Sequence, residues 1–292
     1  MSVTTAYLGI IIIWSTTPLA IKWSGDGPGF LFGITARMII GTLICLLILA
    51  FMRVRLEWHK NAILTYLAAS VGIFGSMLCV YWGAQHITSG MVSVLFGLTP
   101  LLTSVFAAII LKENSLDLLK LFGICLALCG LVLVFYTDIA RSDYANIGIL
   151  AIVCATLLHS LSTVLVKKID SRLPGIVINT GSLVVSSLLF IAVWLASQNP
   201  FPETIPLKAG TSILYLGVFG NVIGFTLYFY ALKNMDASKI GLIPLITPVL
   251  ALILGYVLNA EPIGLTLMLG TGLIMLGLLF HNWKRPRVTA LE

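Results

Sequence analysis

Charge is what this chain has least of. Only 10% of its 292 residues are Asp, Glu, Lys or Arg, and 59% are hydrophobic. An ordinary soluble domain carries about 25% charged residues, so a soluble fold of this composition would lack the polar residues to cover its own surface. The scarcity is uneven, because all eleven acidic residues fall in links, in tails or at the ends of apolar runs. Metal-ligand spacing is missing too. Cys45, Cys79, Cys125, Cys129 and Cys154 each lie inside an apolar run, and Cys125 and Cys129 have no second pair to join them. They read as small packing residues with reduced thiols, and no metal or cofactor is called for. No cluster of His, Asp and Glu gathers at one end of the apolar runs, which argues against a membrane enzyme acting on lipid. Period-two alternation is absent, which excludes a β-barrel.

What the chain does have is long apolar runs. A membrane span needs about 20 predominantly apolar residues. Ten runs qualify, at roughly 4–22, 29–52, 62–84, 88–111, 118–136, 146–166, 176–197, 209–232, 238–259 and 263–282. The links are too short for a soluble domain. The first run lacks a basic leader and a convincing cleavage site, so it is expected to remain as a span. With the N-terminus placed in the cytoplasm, thirteen Lys and Arg fall in cytoplasmic links or tails and three in the opposite ones, with Arg37 inside a span. This is a strong positive-inside pattern. It predicts a multi-pass protein of the cell's inner (plasma) membrane with both termini cytoplasmic. It also accounts for the net charge of +6 without nucleic acid.

The chain repeats itself. Leu98-Thr99-Pro100-Leu101-Leu102 recurs as Ile246-Thr247-Pro248-Val249-Leu250, and thirteen residues after each proline stands Glu113 or Glu261. Gly123 and Gly130 match Gly270 and Gly277, while Ser15 and Lys22 match Ser160 and Lys167, at offsets of 145 to 148. The expected organisation is therefore residues 1–140 as a first repeat of five helices and 141–292 as a second. Five is odd, so the second repeat enters the membrane from the opposite side. Inverted repeats of this kind typify secondary transporters, whose site lies near mid-membrane between the halves.

These residues carry a resemblance. Trp14-Ser-Thr-Thr-Pro18 followed by Lys22, Arg37, the two Thr-Pro-x12-Glu patterns and Tyr230-Ala231-Leu232 resemble the ten-helix members of the drug/metabolite transporter superfamily, which carry two EamA-like repeats. The resemblance covers nearly the whole chain and implies a carrier, not an enzyme. It is specific for fold and transport and weak for substrate, because members export amino acids and other metabolites or move nucleotide sugars and organic phosphates. Small multidrug exporters, also similar, use a mid-membrane carboxylate to trade protons for cations, and this chain has no equivalent. Any proton coupling would use His. The expected activity is alternating-access export of a small metabolite, with an amino acid or related zwitterion as the best guess. The rivals are an exporter of cationic drugs on the same fold, a channel-like facilitator and a membrane-bound enzyme.

Polar groups at membrane depth are costly and mark candidate sites. The cavity candidates are Trp14, Thr17, Trp82, Gln85, Phe96, Thr99, His159, Thr163, Asn221, Phe225, Tyr228 and Thr247. Asn221, Phe225 and Tyr228 recur at helical spacing, on one face; Trp82 and Gln85 equally suit an interfacial belt. Hinge or gate candidates are Pro100 and Pro248, each expected to kink its helix, with Lys22, Arg37, Glu113 and Glu261. Arg37 is open to binding an anion, snorkelling outward, or pairing with a carbonyl or Glu261; its frequency in the resembling family favours a structural role. The paired glycines mark spans 5 and 10 as peripheral supports or as the surface of a homodimer, so the chain is expected to act as a monomer or homodimer.

Overall fold

A computed structural model of the chain describes residues 3–112, 118–138, 144–234 and 243–282. Ten helical segments follow one another: α1 (Val3–Ser24), α2 (Phe30–Phe51), α3 (Lys60–Gly83), α4 (Ser89–Phe96 and Thr99–Ile110), α5 (Leu118–Asp138), α6 (Ala145–Ile169), α7 (Gly175–Ala196), α8 (Leu207–Tyr215, Leu216–Gly224 and Phe225–Asn234), α9 (Ile243–Asn259) and α10 (Leu265–Asn282). No strand occurs among the described residues. Seven segments are long and apolar enough to cross a bilayer by themselves, and α5, α9 and α10 carry shorter apolar stretches. In lipid the backbone must satisfy its own polar groups, which is why the apolar runs become helices. The chain is thus a multi-pass, all-α membrane protein with two inverted five-helix repeats.

Local chemistry sets the boundaries. Thr88 caps α4, its side chain accepting from the Met91 amide, and His59 caps α3 by accepting from Ala62. Pro174 and Pro206 stand immediately before α7 and α8. The two matched prolines act differently. Pro100 stands in the first turn of the second half of α4, where a missing N–H costs nothing, and the helix is interrupted at Gly97 and Leu98. Pro248 lies inside α9, which runs on without a break. Gly97 weakens α4 just before its proline, and the equivalent position in α9, residue 245, is a leucine.

Two π-helical turns were not foreseen. They occupy Val71–Ser76 in α3 and Leu216–Gly224 in α8, equivalent places in the two repeats. Their sequences, Val71-Gly-Ile-Phe-Gly-Ser76 and Leu216-Gly-Val-Phe-Gly-Asn221, match at an offset of 145. π-turns shift the backbone hydrogen bonds and are frequent at functional sites. Neighbouring helices take up nearby carbonyls: Asn179 of α7 donates to the Asn221 carbonyl at 2.9 Å, and Ser162 of α6 donates to the Ala68 carbonyl at 2.8 Å.

The helices with paired glycines meet each other. A Cβ on Gly123 would stand 2.5 Å from the Gly277 carbonyl oxygen, and one on Gly130 would stand 2.7 Å from that of Gly270. The glycine faces considered for a homodimer therefore pack α5 on α10 within one chain. Missing side chains let the backbones approach this closely.

Candidate functional site

A cavity of about 100 Å³ lies between the repeats, walled by α1, α2, α3, α4, α6, α8 and α9. Of the helices other than the peripheral α5 and α10, α7 contributes no lining residue. That helix stands behind α2 and α8, where Ser187 bonds Thr42 at 2.6 Å and Asn179 holds the π-turn.

Trp14, Thr17, Phe96, His159, Phe225 and Thr247 all line the cavity, as does Arg37. Four others stand close behind it. The Asn221 side chain is turned onto Arg37. Tyr228 stacks near Trp14, with ring centres 5.2 Å apart, and shares a 2.9 Å hydroxyl bond with Thr163. The Thr99 hydroxyl is buried, and the Thr99 carbonyl accepts from Ser160 at 3.1 Å. Trp82 and Gln85 lie outside the site: Trp82 packs on His86 and is exposed, and Gln85 donates to the Tyr81 carbonyl. They belong to the end of α3, where an interfacial residue is normal. Glu113 lies outside the described residues. Pro18, Met77, Val80, Ser93 and Gly220 also line the cavity and were not foreseen.

Arg37 is the most costly group in the wall. It is 1% exposed. Its Nε and Nη2 donate to Asn221 Oδ1 at 3.2 and 2.6 Å, and its Nη1 donates to the Tyr81 hydroxyl at 3.3 Å. Asn221 Nδ2 returns a bond to the Arg37 carbonyl at 2.9 Å. A side chain on Gly41 would collide with Asn221, so that glycine permits the close crossing of α2 and α8 on which the pair depends. No carboxylate pairs with Arg37 among the described residues, and the anticipated pairing with Glu261 does not occur.

Glu261 instead holds one end of the bundle together. Its Oε2 accepts from the Ser89 amide at 2.9 Å and the Ser89 hydroxyl at 2.8 Å, at the N-terminus of α4. Its Oε1 accepts from Asn259 Nδ2 at 2.9 Å and lies 3.7 Å from Lys22 Nζ. Lys22 also donates to the Ile87 carbonyl at 3.0 Å, and Trp23 Nε1 donates to Asn259 Oδ1 at 2.9 Å. Anions are favoured at helix N-termini. One carboxylate thus joins α1 and α4 of the first repeat to the end of α9 in the second.

His159 stands at the centre of an aromatic group. Its ring lies 6.4 Å from Trp14, 6.1 Å from Phe96 and 5.8 Å from Tyr228. The apolar wall with a few polar groups suits a small organic ligand. No group of three or more His, Cys, Asp or Glu capable of holding a metal occurs among the described residues.

Known proteins resemble this arrangement along its length. The EamA-like transporter family model matches residues 2–136 and again 146–283. A protein of Archaeoglobus fulgidus named an uncharacterized transporter is 31% identical over 226 residues, covering 74% of this chain and 77% of its own. YoaV of Bacillus subtilis, also named an uncharacterized transporter, is 27% identical across 96% of this chain and 97% of its own. An S-adenosylmethionine/S-adenosylhomocysteine transporter of Chlamydia muridarum is 24% identical over 92% of this chain and 89% of its own. A solved crystal structure shares the fold with a TM-score of 0.67, covering 96% of both chains at 22% identity. With a family match spanning both repeats, the chain belongs to the EamA-like transporter family.

Proposed function

We propose that the protein is a secondary transporter that moves a small metabolite across the inner membrane by alternating access, as an exporter with both termini in the cytoplasm. An amino acid or related zwitterion is the favoured cargo. The observation that carries this reading is the cavity between the repeats together with the Glu261 network, which ties residues of both repeats at one end of it. Inverted repeats around a mid-membrane site are the architecture of alternating access. In the orientation set by Lys and Arg, the Glu261 end is the outer one.

The cavity walls suit this cargo better than a cationic drug, because no carboxylate lines them among the described residues. The Chlamydia muridarum relative is named for a cargo that includes an amino-acid moiety, which agrees with a zwitterion. A carrier is also preferred to a channel or an enzyme. The test uses purified protein in liposomes. Saturable counterflow of an amino acid supports the carrier. Non-saturating leak points to a channel, and selective counterflow of organic cations points to a drug exporter.

A further inference from the structure

We infer that Arg37 is the anion anchor of the cavity and that the transported molecule carries a carboxylate, which docks there. This rests on the transport reading above and narrows its substrate class. The few polar groups in the cavity wall include several donors. Arg37 has five N–H groups, of which three are engaged, all by neutral oxygens. Ser93 and Thr247 line the same cavity, are 4% and 7% exposed, and their hydroxyls have no partner among the described residues. His159, 8% exposed, likewise has no partner at either ring nitrogen among the described residues.

A buried guanidinium facing only neutral oxygens is poorly compensated, because removing a charge from water is costly unless an opposite charge answers it. The two clusters differ in this respect. Lys22 has Glu261 beside it, while Arg37, deeper in the bundle, has amide and phenol oxygens. A carboxylate entering the cavity supplies the missing charge and accepts from the free donors. The rest of the molecule then rests on Trp14, Phe96 and Phe225. An organic cation without an acid group adds a second positive charge beside Arg37 and is rejected. An amino acid satisfies the arrangement, with its acid on Arg37 and its ammonium turned to the ring faces of Trp14 and Phe96.

The experiment measures binding to the detergent-purified protein and counterflow in liposomes for a set of L-amino acids, each paired with its C-terminal amide. The amide keeps size and side chain and loses the negative charge. The expected result is acids bound at least about tenfold more tightly than their amides, as for a lost hydrogen bond to a charged group. In Arg37→Gln this preference disappears, and in Arg37→Lys it partly returns, which a merely structural arginine would not produce. Asn221→Asp is the second variant. It places a carboxylate where Oδ1 already accepts from Arg37, neutralises the cation within the fold, and is expected to erase the acid preference. Amides bound as tightly as acids by the wild type, or an acid preference that persists in both Arg37→Gln and Asn221→Asp, overturn the anchor. Acid-selective binding without counterflow leaves the anchor standing and removes the transport reading.

Discussion

Replacing Glu261 by Gln tests whether one end of the bundle is a gate. The change keeps shape and removes charge. Two of the bonds to Oε2 come from Ser89, one from a backbone amide in the first turn of α4. An anion at a helix N-terminus contributes about 0.3–1 kcal/mol, and up to about 2 in partly buried settings. Hydrogen bonds to a charged acceptor exceed neutral ones by roughly 1 kcal/mol each. The Lys22 side chain is 32% exposed, so its ion pair at 3.7 Å adds little. The expected loss is about 2 kcal/mol, which shifts a two-state equilibrium about thirtyfold toward the form open at this end. The assay is labelling of a single cysteine at position 93 in the cavity wall by a membrane-impermeant thiol reagent applied to cells, with the five native cysteines replaced. Ser93→Cys should react at least about tenfold faster in the Glu261→Gln background. An equal labelling rate in the two backgrounds, with the protein folded and inserted, refutes the gate.

Three further outcomes are expected. Pro100→Ala and Pro248→Ala leave the protein folded and impair transport, and unchanged rates in both would end the mechanical reading of the prolines. Gly123→Val lowers the thermal midpoint of the purified protein, by overpacking of about 1–3 kcal/mol against the Gly277 carbonyl; a variant as stable as the wild type contradicts the close packing of α5 on α10. His159→Phe preserves the ring packing but removes two nitrogens, so ligand affinity should fall about tenfold with stability unchanged, and equal affinity would show that the imidazole does not touch cargo.

Much of this architecture is legible in the sequence, because a bilayer imposes a length on every apolar run. The repeat was visible in Thr-Pro, Glu and Gly, residues that do not blend into an apolar background. The site was only partly legible. Helical spacing set Asn221, Phe225 and Tyr228 on one face, yet only Phe225 reaches the cavity wall. The π-turn over Leu216–Gly224 changes the backbone phase, so Gly220 lines the cavity and Asn221 turns to Arg37. The paired Gly-x-Phe-Gly pattern was the available signal. Ser93 gave none, since a serine beside a valine looks the same in any apolar run. Lys22 and Glu261 were each read as gate residues, but their meeting depends on how α1 and α9 come together, which spacing along the chain cannot reveal.

The glycine seam has a consequence for the integrity of the chain itself. It presses a helix from one repeat against a helix from the other, backbone to backbone, at the side of the bundle away from the cavity. The peptide link between α5 and α6 is then not the only tie between the halves. Two polypeptides, one ending after α5 and the other starting before α6, carry complementary surfaces and should find each other in the bilayer and rebuild one carrier.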